Sequence, residues 1–477
     1  MTITALANGH APRAASPLLI DTALVQKYDK PGPRYTSYPT ADRFIEAYND
    51  ETHRTTLEQR NVAWGPATNL QPLSLYIHLP FCNTICYYCG CNKVITKDHS
   101  RAAKYLRYLE LEFALTADLL KGSRRAEQVH LGGGTPTFLS IEELRTLMRD
   151  LGRHFELAPG EYAVEIDPRT VDNEKTAALA QLGFNRMSLG VQDFDADVQK
   201  AVNRIQSEAQ TANAIATARK HGVTSINLDL IYGLPLQTTT SFEHTLARVI
   251  ALKPDRIALY SYAHLPAMFK PQRRINPAEL PSAAEKLAIM ALAIGTLTTA
   301  GYVYIGMDHF ALPHDELAIA AQHGRLHRNF QGYTTRPESD LLAFGISAIS
   351  KIGPTYSQNV KTLDDYYDRL DRAELPVLRG IELTADDLLR RSIIHSLMCN
   401  FELSTEEIEL GHLIRFNEYF ADEIARLEEL ADEGLVAMEP GWIVVTPRGR
   451  LLVRTVAMIF DRYLTRGEAR ERFSKVI

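Results

Sequence analysis

Cysteine is scarce, with five residues in a chain of 477. That excludes a disulfide framework, because a chain of this length buries a core without covalent staples. An excess of positive charge is also missing. Lys and Arg number 52 against 58 Asp and Glu, for a net charge of −6, which argues against a nucleic-acid binder. The N-terminus lacks the basic start and unbroken apolar run of a secretory signal, since Asn8, His10, Pro12 and Arg13 interrupt it. It reads as a disordered lead-in. One uncharged stretch, residues 287–307, is long enough to span a membrane. It nevertheless carries Thr296, Thr298, Thr299 and three glycines. Its centre, Thr298-Thr299-Ala300-Gly301, reads as a helix end with a glycine cap, and Tyr302-Val303-Tyr304-Ile305 as a strand. A buried helix, a turn and a strand are expected there, not a membrane span. Reduced thiols point to the cytoplasm.

Four of the five cysteines fall within ten residues, Cys82-Asn83-Thr84-Ile85-Cys86-Tyr87-Tyr88-Cys89-Gly90-Cys91. The first three have the spacing C-x3-C-x2-C. Three thiolates satisfy three irons of a [4Fe–4S] cube and leave the fourth open to a small molecule, whereas four ligands suit an electron carrier or a structural site. A structural zinc site is the rival, since four cysteines complete a tetrahedron. Zinc knuckles, however, split their ligands into two distant pairs, and Cys89-Gly90-Cys91 is too tight for one. Cys399, in the apolar helical stretch 393–399, reads as a buried core thiol. The three-cysteine spacing resembles that of the radical S-adenosylmethionine (SAM) enzymes.

From residue 74 to about 266, short apolar runs alternate with amphipathic helical stretches. Strands are predicted over 74–81, 128–134, 162–168, 186–192, 225–235 and 256–266. Helices fall between them, for example over 102–120, 141–155 and 173–182. Such alternation means βα units and a parallel sheet, and six units suggest a partial (β/α)6 barrel. The unusual residues then cluster at the strand ends: the cysteine loop after the first, Gly132-Gly133-Gly134-Thr135-Pro136 after the second, Glu165 and Asp167 at the third. Gln192 and Asp193 end the fourth, Asp229 lies in the fifth, and Tyr262, Ala263 and His264 end the sixth. In parallel barrels the active site lies at the C-terminal ends of the strands.

The last part of the chain is different. Helices are predicted over 385–399, 405–413, 417–433 and 448–463, with a hairpin over 435–446. This resembles a winged helix. Its second recognition-like helix carries seven acidic residues against Arg426 alone and would repel phosphates, so a lid or packing role is expected instead.

The longer motifs identify a family. The chain resembles the oxygen-independent coproporphyrinogen III dehydrogenases (oxidases) of bacterial haem synthesis from about residue 28 onward. The resemblance rests on Gly32-Pro33-Arg34-Tyr35-Thr36-Ser37-Tyr38-Pro39-Thr40-Ala41, Tyr76-Ile77-His78-Leu79-Pro80-Phe81-Cys82 and Cys89-Gly90-Cys91-Asn92-Lys93. Further on come Gly190-Val191-Gln192-Asp193-Phe194, Asp229-Leu230-Ile231-Tyr232-Gly233-Leu234-Pro235 and Gly306-Met307-Asp308-His309-Phe310. His327-Arg328-Asn329-Phe330-Gln331-Gly332-Tyr333-Thr334-Thr335 completes the set.

That resemblance implies an α/β fold: a partial (β/α)6 radical SAM barrel with an N-terminal extension and a mainly helical, winged-helix-like C-terminal domain. The expected divisions are a disordered lead-in over 1–27, a substrate-side extension over 28–73, the barrel and its extension over 74–355, and the helical domain over 356–477. Cys82, Cys86 and Cys89 would bind a [4Fe–4S] cluster, and Cys91 would not. Two SAM molecules are implied. Tyr76, Gly133, Glu165 and Ile349 would contact the first, and Tyr88, Gly134, Thr135, Gln192, Arg204, Asp229 and Ala263 the second. Tyr76, Glu165 and Gln331 are the implied catalytic group. Glycines allow close backbone approach, Glu165 suits ribose hydroxyls, and Arg204 suits a SAM carboxylate.

The implied reaction converts two propionates of coproporphyrinogen III to vinyl groups, giving protoporphyrinogen IX, methionine and 5′-deoxyadenosine. Reduced flavodoxin or ferredoxin is the expected electron donor and a monomer the expected state, with neither nucleic acid nor membrane as partner. The substrate carries four carboxylates, so the mouth needs cations; Arg34, Arg273, Arg274 and Arg328 are candidates, and Arg273-Arg274 alternatively a solvated basic pair. Phe330 and Gln331 are expected near the substrate. His309 beside Asp308 is either a proton shuttle or a satisfied core histidine. The rivals are a haem chaperone with the same barrel, a radical SAM enzyme for another substrate, and a zinc-binding interaction protein.

Overall fold

The computed structural model describes residues 19–60, 72–335 and 339–464. Six parallel strands form its centre: β1 (Leu73–Leu79), β2 (Arg125–Gly133), β3 (Glu156–Ile166), β4 (Arg186–Gln192), β5 (Ser225–Tyr232) and β6 (Arg256–Ser261). Each lies where an apolar run predicts one, and they neighbour one another in chain order. Their near-continuous burial, as in Leu73, Leu75, Ile77 and Leu79 of β1, is that of a parallel sheet covered on both faces.

The covering helices are α1 (His99–Leu119), α2 (Ile141–His154), α3 (Asn173–Gln181), α4 (Glu208–Lys220) and α5 (Thr239–Ala251). Each begins at a side chain that accepts from a first-turn N–H, namely Asp98, Ser140, Asp172, Ser207 and Thr238. Ser140 with Glu143 and Ser207 with Gln210 form reciprocal capping boxes. Their apolar sides, Leu109, Phe113, Leu147, Leu151, Leu246 and Val249 among them, share one core with the sheet.

The sheet is wider than the six units. A seventh parallel strand, Asp340–Phe344, pairs with the free side of β1. Antiparallel Ile349–Ile352, Thr355–Asn359 and Val377–Glu382 extend that edge. On the other edge His309–Ala311 and Val303–Gly306 pair antiparallel beyond β6. The expected boundary at 355/356 therefore falls inside the sheet, at the start of a strand, and the last strand ends at Glu382.

The uncharged stretch resolves as expected. Helix Ala283–Thr299 ends at Ala300, Gly301 takes a left-handed φ of 91°, and strand Val303–Gly306 follows. No helix among the described residues is long and apolar enough to cross a membrane.

The N-terminal expectation needs correction. Residues 1–18 lie outside the described residues, but Thr22–Tyr28 is a helix capped by Asp21, with Val25 buried. Of the expected extension, residues 61–71 also lie outside them. Tyr35 and Tyr38 enter the C-terminal core. Arg454, 2% exposed, donates to Pro33 O at 2.9 Å and to Gly32 O, and Tyr35 Oη donates to Asp461 Oδ2 at 3.0 Å. The C-terminal part holds helices Ala385–Asn400, Thr405–His412 and Ala421–Asp432 and the expected hairpin, Val436–Glu439 with Trp442–Val445. Glu402–Ser404 adds a third strand to it. The helix predicted over 448–463 is instead three short turns, Arg450–Leu452, Val453–Ala457 and Met458–Phe460. The tighter path brings Leu452, Val453, Val456, Ala457 and Phe460 all into the core.

Candidate active site

The cysteine loop leaves β1 and is fastened at both ends. Phe81–Cys82 pairs with Val94–Ile95, and Val94 N donates to Pro80 O at 2.7 Å. Its middle is held by the segment after β4: Tyr87 N donates to Val202 O at 2.9 Å and Asn203 Nδ2 to Ile85 O at 2.7 Å. Gln272 Nε2 donates to Tyr88 O at 3.0 Å. The glycine turn after β2 lies directly against the loop. Gly134 N donates to Leu79 O and Thr135 N to Phe81 O, both at 2.9 Å. A Cβ on Gly134 would stand 2.5 Å from Pro80 O, so only glycine admits this approach.

The thiols of Cys82, Cys86 and Cys89 then share a cavity of about 300 Å³ with the ends of β2 to β5. Gly133, Gly134, Thr135, Glu165, Gln192, Arg204, Asp229 and Tyr88 line it, as does Cys91. Gln192 holds a left-handed φ of 67°, a strained conformation for a side-chain-bearing residue, at this strand end. Gln331 lies deeper, in a contiguous cavity that it shares with Glu165, Asp229 and Tyr260. Tyr76, Ala263 and Ile349 do not line the thiol cavity. Tyr76 is packed behind it, its ring 5.6 Å from that of His130 and its hydroxyl 3.2 Å from His78 Nδ1. Ile349 packs beside Phe330 against Phe44, Tyr356 and Leu383.

The polar groups are already engaged. Glu165 accepts from Gly133 N at 3.2 Å, and its other oxygen lies 3.3 Å from His130 Nε2. Arg204 donates to Gly190 O through Nε (3.2 Å) and Nη2 (2.5 Å), and to Asp167 Oδ2 through Nη1 at 3.0 Å. Burial alone would disfavour its charge, but Tyr88, Asp167 and Cys86 outweigh that and hold the guanidinium protonated. A SAM carboxylate would have to share this fork. Burial likewise pushes Asp229 up to about 6, although Ser188 (2.9 Å) and Asn227 (2.8 Å) donate to it.

Several neighbours went unrecognised in the sequence. Asp167 was noted only as a strand-end residue, yet it holds Arg169 as well as Arg204, and both guanidinium groups reach Cys86 Sγ, at 3.6 and 3.5 Å. Ser188 and Tyr260 also line the cavity. The missed signal is the period of two on strands: Ser188 shares a face with Gly190 and Gln192, and His130 with Gly132. Of the candidate arginines, Arg34 lies 3.7 Å from Asp308, Arg273 donates to Pro266 O, and Arg274 stands over the Tyr87 ring. His309 bonds Met307 O at 2.7 Å. Burial and nearby Arg328 lower its pKa to about 3, and the ring lines the inner cavity with Glu165 and Gln331. Cys399 is the expected core thiol, pushed up to about 12 by burial.

The donor set suits an iron–sulfur cluster. Three thiols open on one cavity, with the guanidinium groups of Arg169 and Arg204 at Cys86 Sγ and Lys93 near Cys89. Cys89 is drawn down to about 6, chiefly by the hydrogen bond from Cys91. Six βα units with such a cavity at their strand ends define a radical SAM enzyme. Residues 76–249 accordingly match the radical SAM superfamily, and residues 383–452 the HemN C-terminal domain. The oxygen-independent coproporphyrinogen III oxidase of Pseudomonas aeruginosa is 50% identical over 460 residues, 96% of this chain and 98% of the relative. That of Escherichia coli is 48% identical over 458 residues, covering 96% and 98%. The solved structure of the Escherichia coli coproporphyrinogen III oxidase, a radical SAM enzyme, superposes with a TM-score of 0.88 at 45% identity, over 94% of this chain and all of that one. The chain belongs to the family of oxygen-independent coproporphyrinogen III oxidases.

Proposed function

We propose that this chain oxidatively decarboxylates two propionates of coproporphyrinogen III to vinyl groups, giving protoporphyrinogen IX in haem biosynthesis. Each propionate loses a hydrogen atom from its β-carbon, then CO2 and one electron. The observation that carries this reading is the single cavity in which three thiols meet the Gly132–Thr135 turn, Glu165 and Asp229, in a chain nearly half identical to such oxidases. When bound, the [4Fe–4S] cluster and SAM supply the electron and the hydrogen-abstracting group.

The residues have separable tasks. Cys82, Cys86 and Cys89 hold the cluster. Gly133 and Gly134 let a ligand approach the backbone, and Thr135, Gln192 and Arg204 offer donors to it. Glu165 and Asp229 offer acceptors for hydroxyl groups. Tyr88 supplies an apolar face with a polar tip. Tyr76, packed against His130, orients the Glu165 side of the cavity. Ala263 and Ile349, off the thiol cavity, complete the family's SAM positions. Gln331 Nε2 is buried with no partner among the described residues, which suits a donor waiting for a ligand atom. The chain acts as a cytoplasmic monomer and takes electrons from reduced flavodoxin or ferredoxin.

Anaerobic incubation of the reconstituted protein with coproporphyrinogen III, SAM and a low-potential reductant tests this. Protoporphyrin recovered after oxidation supports the reading. Stoichiometric haem binding with no vinyl product would favour a chaperone.

A further inference from the structure

A second cavity, of about 310 Å³, opens where Tyr35 and Tyr38 face helix Ala385–Asn400 and the hairpin His327–Asn329 and Gly332–Thr334. Arg328, Lys351 and Arg391 line it, and no Asp or Glu among the described residues does. None of the three cations has a carboxylate within ion-pair distance among the described residues. Arg328 Nε and Nη1 and Arg391 Nη1 are buried without a hydrogen-bond partner among the described residues. A buried donor without a partner is costly, and more so when it is charged. Three of them around a cavity that no Asp or Glu among the described residues lines form a site that an anion completes.

The surrounding groups agree. Arg328 N donates to His395 Nε2 at 2.9 Å. Burial, together with His327, Lys351, Arg391 and Arg328, lowers the His395 pKa to about 3. The field that repels a proton there attracts a carboxylate.

The cavity adjoins the reaction site. Asn329 and Thr334 line both it and the barrel interior, which Glu165, Asp229 and Tyr260 connect in turn to the thiol cavity.

We propose that Arg328, Lys351 and Arg391 form the subsite for propionate carboxylates that do not react while another propionate is presented at the strand ends. This rests on the function proposed above. Guanidinium forks bind carboxylates bidentately, so the subsite selects a macrocycle with distal acidic arms.

Coproporphyrin III, the fluorescent oxidised tetracarboxylate, is the probe, with its tetramethyl ester as control. Binding is followed by fluorescence for the wild type and for Arg391→Gln combined with Lys351→Met. The double variant is expected to bind the acid about ten- to a hundredfold more weakly, with the ester unaffected. Affinity within twofold of wild type, at an unchanged melting temperature, overturns the subsite and leaves the proposed function standing. A wild type that cleaves SAM but binds no tetracarboxylate overturns both. Should the double variant fail to fold, Lys351→Gln alone is expected to weaken binding severalfold, and wild-type affinity there also overturns the subsite.

Discussion

Arg204 Nη1 lies 3.0 Å from Asp167 Oδ2 and 3.5 Å from Cys86 Sγ, so one buried cation ties the end of β3 to the cysteine loop. Removing one partner of a buried pair costs about 3–5 kcal/mol. Arg169 also reaches Asp167, at 2.7 Å, which shares the load. Arg204→Ala is therefore expected to destabilise the fold by about 3 kcal/mol and to lower iron retention. Urea melts and iron analysis under nitrogen check both. A loss under about 1 kcal/mol would show that Arg169 suffices.

Asp229 sets a pH dependence. Its folded pKa of about 6 lies above the ordinary carboxyl value. The folded state thus holds the proton more tightly than the unfolded state. This group favours folding below about pH 4, and the contribution is lost as pH rises through about 6. Asp229→Asn should flatten the stability profile between those values, by about 1–3 kcal/mol. Parallel denaturation curves for variant and wild type across that range would contradict it.

Glu112 is a structural counterpart. Its carboxylate accepts from Gly345 N (2.8 Å), Asn359 Nδ2 (2.7 Å) and Tyr366 Oη (2.6 Å), tying α1 to the sheet extension. Glu112→Ala leaves Gly345 N and Tyr366 Oη without a partner and Asn359 Nδ2 with Gly345 O alone, and should cost about 3 kcal/mol or more. The loss should appear in thermal melts of the protein before cluster reconstitution.

Two glycines should respond in opposite directions. Gly134→Ala places a Cβ 2.5 Å from Pro80 O and 2.6 Å from Pro80 C. The backbone cannot move aside there, so the turn separates from the cysteine loop and cluster incorporation falls by more than half. Gly295, exposed in helix Ala283–Thr299, has open space around it. Gly295→Ala should stabilise by about 0.5–1 kcal/mol. Iron content and melting temperature measure the pair.

The six strands and the cysteine loop were legible because each carries a signal within a few residues: apolar runs, or three soft ligands at fixed spacing. Glu165, Gln192 and Asp229 followed from their places at strand ends. Arg169, Ser188 and Tyr260 stayed hidden because each is an ordinary polar residue until the sheet brings it to the cavity. The strand Asp340–Phe344 was hidden for the same reason: its partner, β1, is far away in the chain. Arg391 and Lys351 lie on a helix and on a strand inside the sheet extension with no motif around them, and only the fold brings them to a cavity that no Asp or Glu among the described residues lines.

The most direct test counts products. Reconstituted protein is given coproporphyrinogen III, SAM and reductant under nitrogen, and vinyl groups and 5′-deoxyadenosine are quantified together. One 5′-deoxyadenosine per vinyl group, with both lost in Cys86→Ser, is the expected result. Deoxyadenosine formed at the same rate without any vinyl product would contradict the account, leaving a working SAM-cleaving centre whose substrate is another molecule.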